Sequence, residues 1–272
     1  MTVTTRRSTL NVAGRTIAYS ASGPGDGAAV CIHGFGSDRS VWSFNVPALV
    51  TERTVYALDL PGHGLSQPAL ESGGLDELVA IVNGFFAGLG LSHVQLVGHS
   101  LGGAIAIRLA ADHPELVAAL TLVAPAGIDA PGAGVSMNMR FFEEFLAMPT
   151  AEEAQRVLAA LVAKPSLINP DMAAGIWRHL TKPGVTETLT AIVDRALRRD
   201  LHDGALRETL LSLKLPVEII WGTEDAIIPI ASTDGLPSSL PIHRVPDAGH
   251  LVQMEKPAIA NRVMTAQAAR LT

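Results

Sequence analysis

Apolar runs of strand length alternate with segments of helical period along most of this chain, and that alternation limits its fold more than any other feature. Residues 28–33, 53–59, 94–98, 116–123, 216–221 and 242–245 read as strands. Residues 75–89 carry Leu75, Leu78, Val79, Val82 and Phe86 on one helical face, and 101–111 and 257–271 also read as helices. Strand–helix–strand units build a mainly parallel sheet covered on both faces, which fits strands that are apolar almost throughout. Segments 8–12 and 15–20 read as a hairpin around Ala13-Gly14, supplying antiparallel edge strands. The expected fold class is α/β, with a mostly parallel, doubly wound sheet.

The stretch 126–205 breaks the alternation. It contains no convincing strand, and 139–148, 151–163, 171–180 and 186–199 read as helices punctuated by Pro149, Pro165, Pro170 and Pro183. A helical insertion between two parallel strands predicts a cap over the sheet's carboxyl edge, where open α/β sheets bind ligands. The expected organisation is a core of residues 1–125 and 206–272 with a cap of 126–205.

Composition excludes several classes. The 272 residues are 48% hydrophobic, which argues against disorder. Lys plus Arg total 20 against 26 Asp plus Glu, a formal charge of −6 without basic runs, so nucleic acid is not the expected partner. The single cysteine, Cys31, excludes an internal disulfide framework and reads as a core residue. The amino terminus shows no apolar signal region. The longest apolar stretch, 116–128, is interrupted by Thr121, Pro125 and Gly127 and is too short to span a bilayer. A cytoplasmic location and no membrane partner are expected. Self-association into a homo-oligomer is left open.

The chemistry concentrates at Gly98-His99-Ser100-Leu101-Gly102-Gly103. This run follows a predicted strand and opens a predicted helix, the setting of a G-x-S-x-G nucleophile elbow. Ser100 would sit on a tight, strained turn, and side chains at 98 or 102 would collide with neighbouring backbone. The helix start behind it favours developing negative charge, and the Leu101 N–H is the expected first oxyanion donor.

With these motifs in place, the whole chain resembles an α/β-hydrolase with a helical cap. The resemblance implies the order serine, acid, histidine. In Trp221-Gly222-Thr223-Glu224-Asp225 it makes Asp225 the acid and leaves Glu224 a solvated loop charge. In Ala248-Gly249-His250 it makes His250 the base. By the same analogy the turn His33-Gly34-Phe35-Gly36 supplies the second oxyanion donor, the Phe35 N–H. The run Asp59-Leu60-Pro61-Gly62-His63-Gly64 matches a further family pattern and reads as structural, with Asp59 or His63 satisfying buried backbone groups.

Of nine histidines, His33, His63, His99 and His250 lie in motifs, and only His250 has the position for proton transfer. His93, His113, His179, His202 and His243 are expected at the surface or at helix ends. No histidine pair has zinc-helix spacing and no phosphate-binding glycine motif occurs, so neither a metal nor a nucleotide cofactor is expected. The cap is rich in large apolar residues, namely Met137, Met139, Phe141, Phe142, Phe145, Leu146, Met148 and Trp177. Such a stripe is usually packing. Phe141, Phe145 and Trp177 are nevertheless the candidates to roof a pocket, with Trp42 and Phe35 at its floor. An apolar pocket of this kind suits a small or medium acyl group.

Within the family, residues 33–45, 54–64, 122–127 and 249–255 are similar to the hydrolase-like C-terminal domain attached to the acyltransferase component of acetoin dehydrogenase complexes. That family carries a lipoyl domain upstream, which is not expected here because the chain starts within a few residues of the hydrolase-like region. Residues 166–177 are similar to the cap of meta-cleavage-product hydrolases, which break C–C bonds. The arginine those enzymes place before the cap tryptophan is Ile176 here, and the asparagine they often place before the nucleophile is His99. The resemblance implies a serine hydrolase acting on a small carboxylic ester or thioester. C–C hydrolysis, a module of an acetoin dehydrogenase-like complex and a small-molecule receptor are the alternatives.

Overall fold

A computed structural model of the chain describes residues 4–24, 27–51, 53–130, 136–202 and 204–271. The eight strands found among them form one sheet: β1 (Thr5–Val12), β2 (Arg15–Ser22), β3 (Gly27–Ile32), β4 (Arg53–Leu58), β5 (Val94–His99), β6 (Val117–Val123), β7 (Val217–Gly222) and β8 (Ile242–Val245). Their spatial order is β1-β2-β4-β3-β5-β6-β7-β8. β1 and β2 form the expected hairpin, longer than the sequence suggests at both free ends. Its two-residue turn has Ala13 at φ 50° and Gly14 at φ 81°, the positive pair a tight hairpin needs. β2 runs antiparallel to β4, and all pairs from β4 to β8 are parallel. Every residue of β5, β6 and β7 is buried, as strands covered on both faces require.

The helices are α1 (Val46–Leu49), α2 (Leu75–Leu89), α3 (Leu101–Asp112), α4 (Met139–Leu146), α5 (Ala151–Leu158), α6 (Pro170–Leu180), α7 (Val185–Ile192), α8 (Ala205–Ser212), α9 (Val252–Glu255) and α10 (Pro257–Ala268). Helix α2 ends on Gly90 in the left-handed region at φ 63°, a standard glycine stop. Helices α4, α5 and α6 start where Asn138, Thr150 and Asn169 accept the N–H of Phe141, Glu153 and Met172. The predicted helix 151–163 is shorter than expected: α5 stops at Leu158 and gives way to a 3-10 turn, Ala159–Leu161. Helix α7 continues as π-helical turns over Val193–Asp200. The short helices α1, α8 and α9 were not foreseen. α8 packs on α3, so the long helical connection hands the chain back to the sheet through it. None of the described helices is long and apolar enough to cross a membrane.

Strand β3 has β4 on one side and β5 on the other. The connections therefore diverge between β3 and β5, leaving a crevice beyond their carboxyl ends. The chain leaves β3 at His33 and β5 at Ser100, so both segments meet there.

Candidate active site

Ser100 follows β5 directly and stands at φ 52°, ψ −118°, a region costly for any residue with a Cβ. Its backbone is held on both sides. The Ser100 N–H donates to Val123 O at 3.0 Å, and Ser100 O accepts from Gly103, Ala104 and Ala126. The glycines around it have no room for side chains. A Cβ on Gly98 would stand 2.4 Å from Gly102 O, and one on Gly102 would stand 2.4 Å from Ile32 O. Leu101 is the first residue of α3, so its N–H has no partner within the helix.

The loop after β3 closes against this turn. A Cβ on Gly34 would lie 2.9 Å from Ser100 Cβ, and Gly36, at φ +69°, would drive one into the Phe145 ring at 2.5 Å. His63 fixes the loop from below, its Nε2 accepting the Gly36 N–H at 3.0 Å while Nδ1 donates to Pro61 O at 2.9 Å. His33 does the same one layer down, accepting from Leu60 N and donating to Gly34 O. A ring that both accepts and donates in this way is neutral, and burial lowers the pKa of His33 and holds that of His63 well below the usual value. Asp59 takes the N–H groups of Arg39 and Leu65 and the Arg39 guanidinium. The Asp59–Gly64 run thus frames the loop after β3.

The loop after β7 carries Asp225, whose side chain is completely buried. Its Oδ1 accepts the N–H groups of Ile227 and Ile228, both at 2.9 Å, leaving Oδ2 for His250 Nδ1 at 2.7 Å. Trp221 Nε1 donates to Ile228 O and braces the same turn. Glu224 is exposed. With Nδ1 engaged, the nitrogen His250 has left to offer is Nε2. Beneath it lies His99, whose Nε2 donates to His250 O and whose buried Nδ1 has no hydrogen-bond partner among the described residues. Burial and the adjacent His250 hold the His99 pKa well below the usual value.

Ser100 and His250 open onto one cavity of about 900 Å³, lined also by Phe35, His63, His99, Phe141, Phe142 and Phe145. Two of the four proposed substrate contacts stand elsewhere. Trp42 is fully buried and points into the core beneath the 3-10 turn Arg39–Trp42, while its neighbours Val41 and Ser43 reach the cavity. Trp177 packs against the core flank, because the cavity face of α6 is Met172, Ile176, His179 and Leu180, and Trp177 is rotated off it. Met137, Met139, Leu146 and Met148 are packing residues. His179, expected at the surface or at a helix end, lies in the last turn of α6, where it is a half-buried cavity residue whose Nε2 donates to Gly62 O. Its spacing of seven from Met172 was the available signal. Glu255 had no assigned role, yet it bridges two backbone segments beside His250.

The family model of the alpha/beta hydrolase fold matches residues 30–257, and the chain belongs to that family. It is 34% identical over 246 residues to the dihydrolipoyllysine-residue acetyltransferase component of the acetoin cleaving system of Cupriavidus necator, covering 90% of this chain and 64% of that protein. The component of the same name from Pseudomonas putida is 36% identical, with 91% of this chain and 65% of that protein covered. The chain thus spans just under two thirds of those relatives. A meta-cleavage product hydrolase from Pseudomonas fluorescens IP01 superposes with a TM-score of 0.84 at 22% identity, over 97% of this chain and 98% of the other, which shows the fold.

Proposed function

We propose that this chain is a serine hydrolase that cleaves a small carboxylic ester or thioester through an acyl-enzyme, with residues 126–205 acting as the cap over its pocket. One observation supports this above the others: the buried Asp225–His250 bond of 2.7 Å leaves imidazole Nε2 for the cavity that Ser100 also lines. His250 takes the Ser100 proton as Oγ attacks the carbonyl carbon, and Asp225 holds the tautomer and stabilises the imidazolium. The tetrahedral oxyanion is met by the N–H groups of Leu101 and Phe35, and removing one such donor typically costs about 3 kcal/mol. The imidazolium returns its proton to the leaving alcohol or thiol. Water, deprotonated by His250, then releases the acid and regenerates Ser100.

The acetoin-system relatives make an acetyl thioester a natural candidate alongside esters, with membership of such a complex as a proposal of its own. Cleavage of a C–C bond in a dienoate is disfavoured, because the cavity residue Ile176 stands where the meta-cleavage-product hydrolases that this cap resembles carry an arginine.

The test is hydrolysis of p-nitrophenyl esters from acetate to octanoate and of an acetyl thioester, with Ser100→Ala beside the wild type. Turnover that falls by orders of magnitude in the variant, on the order of 10⁶ at the limit, carries the proposal. Wild-type rates no higher than those of the variant on every substrate would overturn it.

A further inference from the structure

The loop that carries His250 does not stand alone. Its amides bond to the segment that follows α5, inside the proposed cap. His250 N and Leu251 N both donate to Leu161 O, at 2.9 and 3.2 Å. Glu255, at the end of α9, spans the same junction. Its Oε1 accepts the Gly249 N–H at 2.7 Å and its Oε2 accepts the Ala163 N–H at 2.8 Å. The two backbones touch at Gly249, where a Cβ would meet Ala163 N at 2.8 Å and Val162 Cα at 2.9 Å. The opposite side of this loop is packed on the end of β7, where a Cβ on Gly222 would lie 2.2 Å from Gly249 O. The loop is therefore clamped between a fixed strand and the cap segment. Leu161 and Leu251, on the two sides of the clamp, both line the cavity.

We propose that Glu255 is a positioning residue that ties cap residues 161–163 to the Gly249–His250 backbone, so that alignment of the base depends on the cap being seated. This rests on His250 being the general base for Ser100. A side chain that spans two backbone amides with both carboxylate oxygens does what no neutral residue of its size can, because an amide offers one acceptor and turns a donor toward the other N–H. A substrate that seats the cap would thereby also align the base, and one that props it open would not.

Glu255→Gln and Gly249→Ala disturb the same junction from different sides. The readouts are kcat and KM on the best ester, the labelling rate of Ser100 by a fluorophosphonate, the low-field proton resonance of the Asp225–His250 bond, and the thermal midpoint. For Glu255→Gln we expect kcat and the labelling rate to fall on the order of tenfold to a hundredfold. KM should change little and the low-field resonance should shift or broaden, while the thermal midpoint holds. Gly249→Ala should reproduce the loss of kcat with Glu255 intact. Wild-type kcat and an unmoved resonance in Glu255→Gln would overturn the role, as would a loss of kcat matched by a fall in thermal midpoint. Ser100→Ala separates the two levels. Hydrolysis that survives it removes the nucleophile assignment and this role together. Hydrolysis that depends on Ser100 but ignores Glu255 removes this role alone.

Discussion

The imidazole of His99 donates from Nε2 to the carbonyl oxygen of His250, 3.0 Å away, and the two rings lie 4.7 Å apart. The residue before the candidate nucleophile thus holds the backbone of the candidate base. His99→Ala should lower kcat on the order of tenfold to a hundredfold by loosening His250. His99→Gln should recover part of that loss, since a glutamine amide can present a donor near the position of Nε2. Steady-state rates of the two variants on one ester check this. Equal losses would show that ring packing, not the hydrogen bond, is what His99 contributes.

Three buried histidines should make the protein sensitive to acid. Burial lowers the folded-state pKa of His33, His63 and His99. The sign follows from linkage. Above the unfolded value of about 6.5 neither state is protonated and stability is complete. As pH falls through that value the unfolded chain takes up protons that the folded chain refuses, and stability declines. Each group contributes at most about 1.4 kcal/mol per pH unit. Glu255 works in the opposite direction at lower pH, since burial raises its carboxyl pKa, with a smaller push from Asp225, against the bonds from Ala163 and Gly249 and the charge of Lys256. Urea midpoints from pH 8 to pH 5 should fall for the wild type, and His33→Gln should flatten the slope.

Cys31 lies fully buried in β3, and burial pushes its thiol up to about 12. The thiolate is the reactive form, so a disulfide reagent at pH 8 should leave the folded protein unmodified. In denaturant it should titrate one thiol, the single cysteine of the sequence. Rapid labelling without denaturant would mean that the centre of the sheet opens locally.

The sheet and the elbow were legible because each is written in local pattern. Strands buried on both faces are continuous apolar runs, and Gly98 and Gly102 mark collisions that the structure contains. The structural reading of Asp59 and His63 came from the match to a family pattern, and their bonds to Leu65, Gly36 and Pro61 are the buried partners that reading calls for. The cavity contacts were not legible for Trp42 and Trp177. Size suggested both, but which face of a turn or helix meets a pocket depends on packing between distant segments. Ile176 and His179 reach the cavity from the same helix, and neither looks like a pocket residue by type. Glu255 was hidden for a related reason. Its partners are the backbone amides of Ala163 and Gly249, one of them 92 residues away, and no side-chain pattern announces such a bond.

Gly36 and Phe145 occupy one space from two directions. Gly36 belongs to the loop proposed to supply the Phe35 oxyanion donor, has φ +69°, and would place a Cβ 2.5 Å from the Phe145 ring. Gly36→Ala therefore carries two costs. The left-handed conformation costs roughly 1–2 kcal/mol for a residue with a Cβ, and overpacking against the ring adds typically 1–3 kcal/mol. The fold can escape by moving the loop or by moving Phe145. Loop movement would misplace the Phe35 N–H and lower kcat, whereas ring movement would reshape the cavity proposed to hold the acyl group and alter KM and chain-length preference. Adding Phe145→Leu to Gly36→Ala removes the second cost and leaves the first. The double variant should regain stability over Gly36→Ala while kcat stays depressed, because the backbone strain at position 36 remains. Full recovery of kcat in the double variant would place the whole effect in the ring contact and would argue that the loop tolerates a side chain there.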